Sequence, residues 1–431
     1  MTRFNPRTWS RVPQIVAAGA TIACATILAA GTAVAADWKG KVETVNGVKT
    51  VSNPAAGFAA PATIKVPELW RIGGDTDNED EFFGVISDID IDANGDVYLL
   101  DSQLNEVKVY SKDGEFLRSM GREGEGPGEF RGPVAMYFAP GDNVAVVQSM
   151  PGKIVLLSRD GQPAGDGAIP KPDDGGFQLL QGGEARGGNT VLFMARTKFD
   201  QAANKWSRTG FLASVDATGK QLCEYVAKDN VINMTTPEMN DMAWDTFERR
   251  WEVGPDGRVY ACNSYENYEI HVYDKAGSVE KVIKRDYKHQ PRSAKEKKFM
   301  ETVMTFFSQQ IPNCKVTITD MSKDIDNIFV RDDGSIWVLS SVGARNLPKG
   351  TMGVFDVFNA EGQFVKNVTL QGQGDPFSDL YVFEKDRLYV VTSFVTAAMS
   401  AQGVTGLESE EEPEPMAVIC YKLEGDAIAA R

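Results

Sequence analysis

Apolar residues recur along this chain as a pair two positions apart, followed by a short apolar run. Ile89 and Ile91 precede Val97-Tyr98-Leu99-Leu100, and Met136 and Phe138 precede Val144-Ala145-Val146-Val147. The same register places Trp251 and Val253 before Val259, Ile328 and Val330 before Ile336, and Leu380 and Val382 before Leu388. Only the run beginning at Val191 breaks the pattern, offering Gly183 and Ala185 instead. A shift of 47 residues carries Val97 to Val144 and Val191, Asp113-Gly114 to Asp160-Gly161, and Phe83 to Phe130. Alternation of β-branched and aromatic residues at period two signals strands. The Asn-Gly and Asp-Gly pairs between them accept the positive φ angles of tight hairpin turns.

Each unit therefore predicts four short strands, and six units predict an all-β, six-bladed β-propeller spanning residues 63–425. The last unit lacks a fourth strand of its own. Thr63–Ile72, ending Leu69-Trp70-Arg71-Ile72-Gly73, resembles the fourth strand Phe116-Leu117-Arg118-Ser119-Met120-Gly121. It is expected to close the last blade and remove an open sheet edge. Residues 36–62 form an extension before the propeller.

Three interruptions stand out. In Gln290–Ile311, Ser293 and Glu296 form a capping box, and Phe299, Met300, Val303, Met304 and Phe307 recur at helical spacing. This insertion (about 290–311) predicts a helix that either lids the channel mouth or covers an exposed sheet face. Ala397–Pro415 ends in a Glu-rich run, a solvated loop or a site for a cation or basic partner. Asp75–Glu81 carries enough oxygen ligands for Ca²⁺ but not in the order of an EF-hand, and solvation alone also explains it.

Asp101-Ser-Gln-Leu-Asn105-Glu-Val107, Gly121-Arg-Glu-Gly-Glu-Gly-Pro-Gly-Glu-Phe130 and Asn263-Ser-Tyr-Glu-Asn267 resemble the NHL-repeat and related secreted bacterial six-bladed β-propeller families. The segment Gly40–Pro54 resembles the stretch before the propeller in the secreted group. This resemblance implies the fold over roughly residues 40–425. Its functional implication is broad, because the fold hosts binding modules, lactonases and lyases alike.

The N-terminus adds a compartment. Arg3, Arg7 and Arg11 precede an uncharged apolar stretch, Ile15–Ala30, and Ala33-Val34-Ala35 offers the small residues a signal peptidase reads. Residues 1–35 are read as a cleavable signal peptide with cleavage near Ala35, so the mature protein is expected in the periplasm or medium and not embedded in a membrane. Cleavage removes three positive charges and no acid, taking the net charge from −15 to −18. So acidic a chain does not screen phosphates, which argues against nucleic acid as a partner. Cys223, Cys262, Cys314 and Cys420 remain, either as two disulfides of undetermined pairing or as buried thiols.

Counting back from the strand anchors places a polar ring near the top of the channel: Asp88, Arg249, Arg250, Asp326, Asn327 and Asp379. These are the candidate ligand-binding residues, and Asp88, Asp326 and Asp379 are the candidate metal ligands. The chain has only two histidines, His271 and His289, so carboxylates would carry any acid–base chemistry. Asp101 and Asn263, at the ends of second strands, are expected to tie loops through backbone hydrogen bonds. Two functions follow. The first is an exported binding or interaction module for a polar small molecule, glycan or protein partner. The second is a Ca²⁺-dependent hydrolase, lactonase or lyase at the channel mouth, with the ion polarising a carbonyl or ester.

Overall fold

A computed structural model describes residues 37–171, 177–407 and 415–423. The signal segment and the acidic run Glu408–Glu414 lie outside the described residues. Blade one comprises Ile86–Ile91, Val97–Asp101, Glu106–Tyr110 and Phe116–Met120. Blade two comprises Pro133–Ala139, Asn143–Gln148, Lys153–Ser158 and Pro163–Gly167, and blade three the longer Phe177–Arg186, Asn189–Asp200, Lys205–Val215 and Gln221–Asn233. Blade four is built from Trp251–Val253, Val259–Ala261, Glu269–Tyr273 and Val279–Arg285. Blade five is built from Ile325–Val330, Ile336–Ser340, Thr351–Phe358 and Phe364–Gln371. Blade six has Leu380–Glu384, Arg387–Val391 and Ala417–Lys422, completed by Glu68–Gly73. The protein is an all-β, six-bladed propeller.

The core explains why both faces of the second strands are apolar. Each blade packs both faces on neighbours, so every residue of Val97–Asp101 and Ile336–Ser340 is buried. Six apolar clusters sit one at each blade interface. Tyr98, Leu100 and Val107 meet Met136 and Val144 between blades one and two. Ile72, Tyr389 and Val418 meet Ile86, Ile89 and Leu99 between blades six and one, where the ring closes.

The expected closing segment Thr63–Ile72 is divided. Ala62–Lys65 runs parallel to Phe364–Gln371 on the outer edge of blade five, and only Glu68–Gly73 pairs with Ala417–Lys422. Pro67 marks the division, because it has no N–H to continue a ladder. Its carbonyl instead accepts the Lys422 N–H at 3.0 Å. Upstream, the hairpin Lys41–Val45 and Val48–Asn53 adds to the outer strand of blade four. Its turn, Asn46-Gly47, has φ of 51° and 82°, the left-handed values that Asn-Gly adopts most readily.

The register departs by one residue in two blades. Glu184, not Ala185, stands opposite Val191, and Phe383, not Val382, stands opposite Leu388. Both blades join their first two strands by two-residue turns, Gly187-Gly188 and Lys385-Asp386, where blade one uses Asp92–Asp96. In blade six Tyr381 and Phe383 are therefore the core pair. The missing side chain at Gly183 also has a reason. A Cβ there would lie 3.1 Å from the Tyr137 ring of blade two, which fills the space.

The helix expected from the capping box is Ala294–Ser308, with both reciprocal bonds of Ser293 and Glu296 present. It joins a seventh cluster in which Met304 meets Ile232 and Met239 of the segment after blade three. A parallel pair, Glu238–Asn240 with Lys315–Thr317, completes this layer. The helix also reaches blade six. The rings of Phe299 and Phe377 lie edge to face at 5.4 Å. Its first-turn Glu296 binds Arg345 from the 2-to-3 loop of blade five at 2.5 Å. It thus covers a sheet extension, one of the two roles weighed from sequence, and touches the top loops of blades five and six. A further helix, Phe394–Ala401, occupies the 2-to-3 loop of blade six.

Candidate functional site at the channel mouth

The first strands line the central channel, and the polar residues at their top ends separate into distinct roles. Arg250 is fully buried, forms an ion pair with Asp245 and donates to the Ser264 carbonyl at 2.5 Å. It does not present itself to a ligand, because its guanidinium is committed to holding the segment before blade four. Arg249, its neighbour, does reach the mouth. Its guanidinium lies 4.9 Å from the centroid of Phe394, and among the described residues it has no hydrogen-bonded or ion-paired partner. Burial lowers its pKa, while Glu248, Asp326 and Asp379 oppose the shift. Lys323 sits alongside, 3.9 Å from Asp326. Its pKa is also lowered by burial.

The mouth carboxylates are already engaged. Asp326 accepts from Arg345 at 2.8 Å. Asp379 accepts the backbone N–H groups of Asp375 (2.8 Å) and Ser393 (2.9 Å) and the Ser378 hydroxyl (2.9 Å). It thereby ties the start of blade six to the Phe394–Ala401 helix. Asp88 accepts the Met136 N–H of blade two at 2.8 Å, and burial pushes its pKa up to about 7. Asn327 is buried with its Oδ1 unpartnered. The structure thus brings Asp326 and Asp379 within electrostatic reach of Arg249, while Asp88 interacts with a different group of acids. Among the described residues no three His, Cys, Asp or Glu side chains gather closely enough to hold a metal ion. Asp88, Asp326 and Asp379 are accordingly not gathered into one cluster. Each is held by a different partner.

The group around Asp88 is the feature missed from sequence. Asp88, Asp90, Glu184, Glu252 and Glu384, from blades one, three, four and six, act on one another electrostatically inside the channel. Burial raises the pKa of Glu184 to about 7, and Asp88 and Glu384 add to it. Asp90 and Glu252 are raised well above the carboxylate range, first by burial and then by neighbouring acids. Arg186 opposes this from within, 3.4 Å from Glu252 and 2.5 Å from Asp332. Part of their role is structural. The inner edge of each blade has N–H groups with no strand beyond them. Glu184 accepts the Val253 N–H at 2.9 Å just as Asp88 accepts Met136, so acids stitch neighbouring inner strands together. A signal for them existed: Asp90, Glu184 and Glu252 each lie seven residues before a strand anchor, one step below the rings counted.

Two other candidates resolve plainly. Asp101 is fully buried and accepts N–H groups of Gly84, Val85, Gln103 and Leu104. The acidic stretch Asp75–Glu81 ends in a short 3₁₀ turn, Glu79–Glu81, capped by Asn78. The Asp80 carbonyl accepts Lys108 at 3.0 Å and Tyr110 at 2.5 Å, so an oxygen that could face a cation is already used. His289, one of the two histidines, pairs through Nδ1 with the buried Asp324 at 2.8 Å. No nucleophile is bonded to its other nitrogen among the described residues. Cys223, Cys262, Cys314 and Cys420 are free thiols.

Residues 76–166 match a family model described as 6-bladed beta-propeller, which spans blades one and two. No curated protein matches the chain. Among solved structures, it is similar to a putative exported protein from Bacteroides fragilis at 10% identity, covering 84% of this chain and 99% of that one, with a TM-score of 0.42. It is similar to a DUF4221 family member from Bacteroides vulgatus at 9% identity, covering 83% and 97%, with a TM-score of 0.48. It is also similar to the calcium-binding protein regucalcin from Agrobacterium tumefaciens at 11% identity, covering 84% and 97%, with a TM-score of 0.42. No helix among the described residues is long and apolar enough to cross a membrane.

Proposed function

We propose that this chain is an exported binding module that takes a polar, negatively charged ligand at the roofed top of its channel. The observation that carries the reading is the imbalance at the mouth. Arg249 has no polar partner and Lys323 only a distant one, while Asp326 and Asp379 are occupied by groups of their own. A half-buried cation gains most from an anion that completes its coordination. The surrounding chain is acidic overall, so this local positive site selects by position rather than by bulk attraction.

The test is calorimetric titration of the full chain with citrate and D-glucarate, with D-glucose as the neutral control. Saturable binding of an acid that weakens by about tenfold or more in Arg249→Ala supports the reading, a difference of about 1.4 kcal/mol. Failure of both acids to bind overturns it. The competing reading, a Ca²⁺-dependent hydrolase, lactonase or lyase, requires mouth acids to leave their present partners for the ion. A Ca²⁺-induced rise in thermal midpoint that disappears in Asp379→Asn would favour that reading instead.

A further inference from the structure

The long strands of blade three run past the body of the propeller on its top side. Where Lys205–Val215 and Gln221–Asn233 leave the blade, a cleft opens between them and the short helix Asp241–Trp244. The cleft is shallow, and the roughly 210 Å³ of space over its lining counts the open solvent above it. Arg208, Lys228, Asn230, Trp244 and Thr246 line it, over a floor at Gly210. A Cβ on Gly210 would meet Phe193 no closer than 3.6 Å, an ordinary contact. Packing thus leaves room for a side chain at this point, and the glycine keeps the floor of the cleft open.

The charges in the cleft do not balance. Lys228 donates to the Met242 carbonyl at 3.0 Å and to Asp245 at 3.3 Å, and Asp245 also holds Arg250. The one acid of the cleft is therefore shared by two cations. Arg208 is left over. It is half-buried, its guanidinium lies 5.9 Å from the centroid of Trp244, and among the described residues it has no hydrogen-bonded or ion-paired partner. Burial lowers its pKa, and only the charge of Glu248 opposes that. Beside it, Trp244 stacks on Trp206 at 5.8 Å with an interplanar angle of 21°, making a supported aromatic wall. A guanidinium matches a carboxylate through two parallel hydrogen bonds, and an indole face accepts the flat side of a ring. The Asn230 amide and Thr246 hydroxyl offer further polar contacts.

We propose that this cleft is a second binding site, for a ring-shaped carboxylate such as a sugar acid or an aromatic acid, with the carboxylate on Arg208 and the ring against Trp244. The site is independent of the channel mouth, since Arg208 and Trp244 play no part in that reading. Trp206 and Trp244 supply the signal for the test, tryptophan fluorescence of the full chain. The probes are D-galacturonate and benzoate, with acetate lacking the ring and D-galactose lacking the charge. The expected result is a saturable change with at least one ring acid, with acetate and D-galactose weaker by about tenfold or more. Arg208→Gln should weaken the ring acid by a similar factor, and Arg249→Ala should leave it unchanged. Arg208→Lys keeps the charge but loses the planar fork, so it should weaken binding by about threefold or more. This variant decides the question if Arg208→Gln fails to fold. Absence of saturation with both ring acids, acetate binding as tightly as they do, or undiminished affinity in the Arg208 variants would overturn the proposal.

Discussion

Replacing Glu184 by Gln should stabilise the protein at alkaline pH and leave it nearly unchanged in acid. The carboxyl group points into the channel, accepts the Val253 N–H, and has its pKa raised from 4.5 to about 7 by burial and by Asp88 and Glu384. Between those two values the folded state holds a proton that the unfolded state has released. Stability is thus fully present below the unfolded value and is lost as pH rises through about 7. Moving from 4.5 to about 7 corresponds to about 3 kcal/mol. Protonation of one acid eases its neighbours, because the channel acids titrate together, so about 1–2 kcal/mol is expected from the single substitution. With an unfolding entropy of about 2.1 cal/mol/K per residue, a chain of this size gains about 1–3 °C in thermal midpoint. The amide keeps an oxygen for Val253 and carries no charge. The assay is circular dichroism melting of both proteins from pH 4 to 8.5. A variant less stable than the parent at pH 8, or a difference that does not change with pH, would refute the reasoning.

The side chain of Asn53 accepts the Trp38 indole N–H and the Phe364 N–H and donates to the carbonyls of Lys284 and Gly362, tying the N-terminal hairpin across blades four and five. Asn53→Ala should cost about 2–4 kcal/mol in urea unfolding, because buried backbone groups lose their partners, and a change below about 0.5 kcal/mol would contradict this. Arg345→Met should leave Glu296 and Asp326 without their shared cation and loosen the roof helix, costing about 3 kcal/mol. The readout is faster proteolysis within residues 290–311, and an unchanged cleavage rate would count against the tether. Cys223, Cys262, Cys314 and Cys420 should all react with Ellman's reagent in denaturant without reduction. Dithiothreitol should not move the thermal midpoint, and a drop of several degrees would reveal a disulfide.

Much of the ring was legible because propeller geometry repeats. Ile89 and Ile91, or Ile328 and Val330, announce a strand buried on both faces wherever they recur. The capping box at Ser293 and Glu296 located its helix for a similar reason, since its bonds are local. The site was harder to read. Arg249 and Arg250 are adjacent and chemically alike, yet one reaches the mouth and the other is sealed against Asp245. Nothing in their order along the chain distinguishes them, because the distinction depends on which carboxylate arrives from another segment. The cleft at Arg208 went unseen because its lining, up to 39 residues apart, joins the overlong strands of blade three to the segment that follows them.

The sequence by itself determined the number of blades, the strand anchors and the roof helix, since periodic burial and local capping are written in residue order. Only the tertiary structure decided where the closing segment divides, with Pro67 handing the chain from blade five to blade six. It alone decided the slips in blades three and six, set by two-residue turns. It alone gathered the channel acids, whose pKa values depend on distances between blades and on the exclusion of water. Local patterns follow from which side chains must leave water. Charges act through space, and their balance exists only once the blades have closed around them.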